Sequence, residues 1–257
     1  MIDLPIFFAG SDPLSHVLDH STWLTSFTGI TKHVMMLMIA SGLCLWIFPK
    51  VAKGMAGGKT GGRFGMFFEA LLLLVRDEMV RPFLGKDGDR FLPVIWTFFF
   101  VILFCNLLGM IPGSATATGN ISVTVALAAV ACVFYHFHGI KENGFVHYLQ
   151  ALLLVGPKPL WPLMIPIEMF GHIVRPCALA VRLFANMVGG HVLLAVIMSF
   201  TVITDFDSIF KDGSITLVSA VAALALNFLE LMVAGIQAVV FTFLTTVFLS
   251  LSVHPEH

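Results

Sequence analysis

Long apolar runs separated by short polar breaks dominate this chain. Residues 33–49, 91–111, 121–138, 167–203 and 214–251 are runs on the scale of the roughly 20 residues that cross a hydrocarbon core. They predict five crossings, all helical, because a backbone in lipid must satisfy its own hydrogen bonds. Residues 64–83 follow a different pattern. Phe64, Phe67, Phe68, Leu71, Leu74, Val75, Met79 and Phe83 fall on one side, with Glu69, Arg76, Asp77 and Arg81 elsewhere, which predicts an amphipathic helix along the interface.

The breaks predict the connections. Pro112-Gly113 and the uncharged stretch Ser114 to Asn120 turn the second and third runs into a hairpin over 91–138. Gly156, Pro157, Pro159, Pro162 and Pro166 predict irregular or re-entrant structure over 144–166, since proline removes a helical hydrogen bond, and Pro176 is expected to interrupt the next helix. The final helix, at 1.5 Å per residue, is roughly 57 Å long against a core of about 30 Å, so it tilts or bends against a protein partner. The expected fold class is an all-α integral membrane protein. It is one membrane domain over 1–257, with about five embedded helices, an interfacial helix, and the last two helices (167–251) long and steeply tilted.

Composition supports this reading and removes some functions. Of 257 residues 58% are hydrophobic and 11% charged, against roughly a quarter charged in soluble domains. A net charge of -1 offers no basic face for nucleic acid, and 25 Phe against 2 Tyr suit lipid-facing surface. Residues 1–31 carry Asp3, Asp12 and Asp19 and no basic residue, whereas Lys50, Lys53, Lys59 and Arg63 follow the first run. By the positive-inside rule 1–31 lies outside, the loop 50–63 and the short C-terminal tail lie in the cytoplasm, and the acidic loop with Asp205, Asp207 and Asp212 lies outside. The opening MIDLPIFFAG lacks a basic n-region, so no cleaved signal is expected.

Several possible sites dissolve on inspection. Cys44, Cys105, Cys132 and Cys177 stand singly without CxxC spacing, which suggests packing rather than a metal site or disulfides. Gly57-Gly58-Lys59-Thr60 resembles a P-loop, but position 53 is lysine where that motif needs glycine, and no strand precedes it. His136 and His138 sit about 200° apart on a helix and read as interfacial anchors, not metal ligands. Neither cofactor nor metal is expected.

The ionisable residues at bilayer depth carry the chemistry, because each costs about 2.5–3.5 kcal/mol on insertion scales. Glu168, Arg175 and Arg182 are spaced seven and seven apart and share a face, since a heptad drifts only about 20°. Asn186 stands about 40° from Arg182, and His191 about 180° away. Glu230 and Gln237, with Asn227 one turn below Glu230, form a stripe on the last helix. Two facing polar stripes suggest an aqueous route for ions. The alternative is that Arg175 and Arg182 form static pairs with Glu168 and Glu230, a use of buried charge that rarely adds stability over apolar packing.

The string RPCALAVRLFANMVGGH (175–191) resembles the signature of subunit a of the F-type ATP synthase. FCNLLGMIPG (104–113), NISVTVALA (120–128), PIEMFGHIVRP (166–176) and the downstream Glu230 and Gln237 extend the match over most of the chain. Ala185 stands where the family often has glycine, and Val188 to Gly190 where it often has Ala-Gly, changes that leave the polar set intact. The resemblance implies a stator subunit with two offset half-channels carrying protons to and from carboxylates on a rotating c-subunit ring. Arg182 then corresponds to the essential arginine separating the half-channels, and Gln237 to the glutamine approaching it. Asn186 falls on a polar position of the family, His191 and Glu230 correspond to the acid and imidazole of the outer half-channel, and Glu168 to an acid of the inner one.

An arginine suits that place. It stays protonated, favours the ionised form of an arriving carboxylate, and blocks direct leakage. His191 and Glu230 are residue types that exchange protons near neutral pH when desolvated. Implied partners are the c ring, the b subunits of the peripheral stalk, the F1 sector indirectly, and the lipid bilayer. The chain is then no enzyme by itself but an ion-translocating subunit of the ATP synthase in a bacterial plasma membrane. A secondary transporter would show internal repeats, and a membrane hydrolase a nucleophile or metal cluster near His191 and Glu230.

Overall fold

Apolar side chains at most positions leave the backbone no water to bond, and helices are the result. The computed structural model describes residues 32–56, 62–110, 116–153, 161–203 and 209–253. Its helices are α1 (Lys32–Ala56), α2 (Gly62–Leu74), α3 (Leu92–Gly109), α4 (Ile121–Asn143), α5 (Phe145–Leu153), α6 (Trp161–Ile203) and α7 (Ile209–Val253). Five of them, α1, α3, α4, α6 and α7, are long and apolar enough to cross a membrane. The chain is an all-α integral membrane protein.

The core forms around α3, whose Ile95, Phe99, Phe100, Ile102 and Cys105 are buried. Phe48 of α1 meets Phe100 edge-on at 4.7 Å between ring centres, and Phe241 of α7 lies 6.0 Å from Phe98. Helices α6 and α7 pack on each other, and α4 packs on both. Large side chains pointing away from this core, among them Leu45, Val133, Phe170 and Leu224, are exposed, as lipid-facing positions are. At 1.5 Å per residue, the 45 residues of α7 run about 67 Å.

Prolines change the expected connections. The segment 144–166 contains a regular helix, α5, and α6 is already helical at Trp161 and continues through Pro166 and Pro176. Pro162 falls in the first turn, where no N–H is required, and each later proline frees one carbonyl, which packed neighbours in a membrane protein tolerate. Gly144 joins α4 to α5 at φ +76°, a conformation that favours glycine. Residues 154–160, with Gly156, Pro157 and Pro159, lie outside the described residues. So do the whole of 1–31, the P-loop-like Gly57-Gly58-Lys59-Thr60, Pro112-Gly113, Asp205 and Asp207.

The amphipathic segment is also less regular than its pattern implies. α2 is followed by a π-helical turn, Val75–Val80, and a single α-turn, Arg81–Leu84. Phe68, Val75 and Met79 are buried, but Phe67 and Leu74 before the π turn and Phe83 after it are exposed, and the wider turn rotates Phe83 relative to the preceding helix. Arg76 reaches Asp89 at 3.1 Å, Arg81 reaches Asp77 at 3.1 Å, and Arg90 reaches Glu142 at 2.8 Å. Asn143 closes the same end of the molecule, donating to the carbonyls of Ser252 (3.1 Å) and Val253 (3.2 Å).

Candidate functional site

Helix α6 carries Glu168, Arg175, Arg182, Asn186 and His191, and α7 carries Glu230 and Gln237. Two groups of contacts form among them, one at His191 and Glu230 and one at Glu168 and Arg175, with Arg182 between along α6. At the hairpin end, the Thr116 hydroxyl lies 2.6 Å from His191 Nε2. The Thr116 carbonyl accepts from His33 Nδ1 at 2.7 Å, so that nitrogen carries its hydrogen. One loop residue thus joins imidazoles from α1 and α6. Asn106 of α3 accepts from Thr118 Oγ1 at 2.9 Å and donates to the Ala234 carbonyl of α7 at 3.3 Å.

Glu230 faces α6 at Gly190. A Cβ placed on Gly190 would lie 2.7 Å from Glu230 Oε1, so a side chain there would displace this carboxyl. Glu230 is 8% exposed and Gln237 5%, and among the described residues Glu230 Oε1 and Gln237 Nε2 have no hydrogen-bond partner. A buried polar atom left so costs about 1–3 kcal/mol, which suits groups that exchange partners with water or a mobile ion. Asn227 and Asn186 are half-buried.

Arg182 is different from both groups. It is exposed, and among the described residues it makes no hydrogen bond or ion pair. It does not meet Glu230, so the static pair considered from the sequence does not form. Arg175 does pair, its Nη2 lying 3.1 Å from Glu168 Oε1, with the guanidinium 5.5 Å from the centre of the Phe248 ring. His172 Nε2 is 3.6 Å from the same carboxylate oxygen. The expected separation of His136 and His138 is seen: His138 Nδ1 bonds the Phe134 carbonyl at 2.9 Å, whereas His136 Nδ1 lies 2.6 Å from Tyr148 Oη.

Comparison with known proteins decides the family. The ATP synthase A chain family matches residues 34–250. An ATP synthase subunit a of Myxococcus xanthus is 39% identical over 234 residues, 89% of this chain and 74% of the relative. The chain belongs to the ATP synthase A chain family. Two further members are similar: an ATP synthase subunit a 2 of Chlorobaculum tepidum at 36% identity (93% of this chain, 72% of the relative), and a subunit a of Chloroherpeton thalassium at 36% (89% and 68%). As a member of this family the chain is a component of the ATP synthase F0 membrane sector and takes part in proton transport and ATP synthesis.

Family strings point to some residues without assigning them a task. Asn106 lies in FCNLLGMIPG, where an amide inside an apolar run is a visible signal. Thr116 and His33 carry no such mark, being ordinary residues of a polar turn and a helix start.

Proposed function

We propose that this subunit a is the stator that carries protons through two offset half-channels to and from the carboxylates of a rotating c ring, with Arg182 separating the channels. The observation that carries this reading is an exposed, unpaired arginine on an apolar helix, with a polar group on either side along the chain. Glu168 is fourteen residues before it, about 21 Å along the helix, and His191 nine residues after, about 14 Å. A cation facing outward with no partner among the described residues fits a negative group on a neighbour, and its fixed charge repels protons travelling directly between the two groups.

In this reading His191, Glu230 and Asn186 serve the outer channel, Gln237 stands near Arg182, and Glu168 serves the inner channel with Arg175 holding its carboxylate. The c ring and peripheral-stalk b subunits flank the chain, with F1 reached through them. The basic loops lie in the cytoplasm of a bacterium, the N-terminus outside and the C-terminus inside. Arg182→Ala is expected to abolish ATP-driven proton pumping in membrane vesicles while the complex still assembles. Normal coupled pumping by that variant would refute the reading.

A further inference from the structure

The groups around Glu168 form a file that the stator reading does not require. His172 lies one helical turn from Glu168, its Nε2 3.6 Å from the carboxylate. Its ring centre is 5.4 Å from that of His136 on α4, and His136 Nδ1 is 2.6 Å from the hydroxyl of Tyr148 on α5. Three helices thus contribute four titratable groups, Glu168 and His172 from α6, His136 from α4 and Tyr148 from α5, to a continuous line that starts at Glu168. The line ends beside the terminus of α7, where Asn143 holds the Ser252 and Val253 carbonyls and a Cβ on Gly139 would collide with the Tyr148 ring.

Two features argue against simple packing. Among the described residues both ring nitrogens of His172 are buried without a hydrogen-bond partner, although a structural imidazole normally has at least one satisfied. Pro176, four residues on, has no N–H, so the His172 carbonyl also lacks its helical donor. Two ring nitrogens therefore stand without a partner among the described residues between two other titratable groups, a place that suits water. His138, two residues from His136, shows the contrast, with its Nδ1 satisfied by a carbonyl of its own helix.

We propose that His172 and His136 form a proton relay between Glu168 and the phenol of Tyr148, a buried side chain on the mostly exposed helix α5, serving as the inner end of the proton path. The proposal rests on the stator reading for Glu168. A proton leaves the Glu168 carboxyl for His172 Nε2, and the resulting imidazolium releases its Nδ1 proton toward His136. His136 passes its own proton to Tyr148 Oη as the phenol proton moves to water. Each transfer moves one proton, and Glu168 is left as the carboxylate that Arg175 holds. Both imidazoles end neutral in the other tautomer and must exchange their ring protons before the next passage, and the reverse sequence delivers protons to Glu168. The titratable groups facing this file are Arg175 and Glu168 from α6, Cys132 and Tyr135 from α4, and Tyr148 from α5, while α7 presents the Phe248 ring.

The test is passive proton flux through the assembled F0 sector in F1-stripped vesicles, driven by a potassium diffusion potential and measured against pH on each side separately. His172→Gln is expected to lower flux at least about tenfold. It should alter the pH profile on the side bearing the basic loops only, and added imidazole should restore part of the flux. His138→Gln should leave flux and profile as in wild type. Wild-type flux and profile in His172→Gln, or a loss that imidazole does not restore and that leaves the profile unmoved, would overturn the relay. If His172→Gln fails to assemble, His136→Gln carries the same test with His172 in place. Arg182→Ala in the same preparation separates the two ideas: retained ATP-driven pumping there sinks the stator reading, whereas its loss alongside a wild-type His172→Gln sinks the relay alone.

Discussion

Gly190 and Glu230 show how finely single residues set the space for a mobile charge. A methyl group at Gly190 would lie 2.7 Å from Glu230 Oε1, and the carboxyl, at the end of a flexible side chain, would turn away before the backbone moved. Gly190→Ala is therefore expected to assemble normally yet lower proton flux about tenfold, as native gels and vesicle measurements would show; full flux would mean that the position of Glu230 does not matter. Glu230→Gln keeps the shape and removes the titration, so it should slow transport and alter its pH dependence. An unchanged profile would remove Glu230 from the path. Arg182, Glu230 and Gln237 were legible from one dimension, because a charge or amide within an apolar run is visible without knowing the fold. The bond between Thr116 and His191 was not, since it joins residues 75 apart in sequence through a loop whose course no local pattern encodes.

At the scale of elements, two junctions help to hold one end of the molecule together. Asn143 ties the last turn of α7 to α4, and Asn143→Ala is expected to cost about 1–3 kcal/mol and to speed hydrogen exchange at residues 249–253. Wild-type protection there would show that packing alone seats the helix end. The Arg76 hydrogen bond holds Asp89 below the usual carboxylate range, aided by the charges of Arg76 and Arg81. A depressed folded value means that this contribution is present above the unfolded value of about 3.9 and is lost as pH falls through the folded one. Both side chains are substantially exposed, so the tie is screened by salt. Asp89→Asn should loosen residues 75–90 at neutral pH and low salt, read as faster hydrogen exchange, and the difference from wild type should vanish in acid. Apolar periodicity located these elements, but not the π turn or the continuity of α6. A proline predicts a lost hydrogen bond, whereas whether the helix breaks depends on neighbours known only after folding.

For the whole molecule, the consequence of the unpaired Arg182 reaches beyond transport. A guanidinium facing hydrocarbon carries an insertion cost of about 2.5–3.5 kcal/mol or more, and nothing among the described residues offsets it. The orphaned subunit is consequently in a worse state than the assembled one, by an amount tied to a single side chain. Expressed without the proposed ring, it should turn over quickly in the membrane. Arg182→Leu, which has no charge to shelter, should persist longer, and equal lifetimes in a pulse-chase measurement would contradict this. The residue assigned to separate two proton paths would then also mark an unassembled copy for removal, so that subunit number follows ring number without a dedicated regulator.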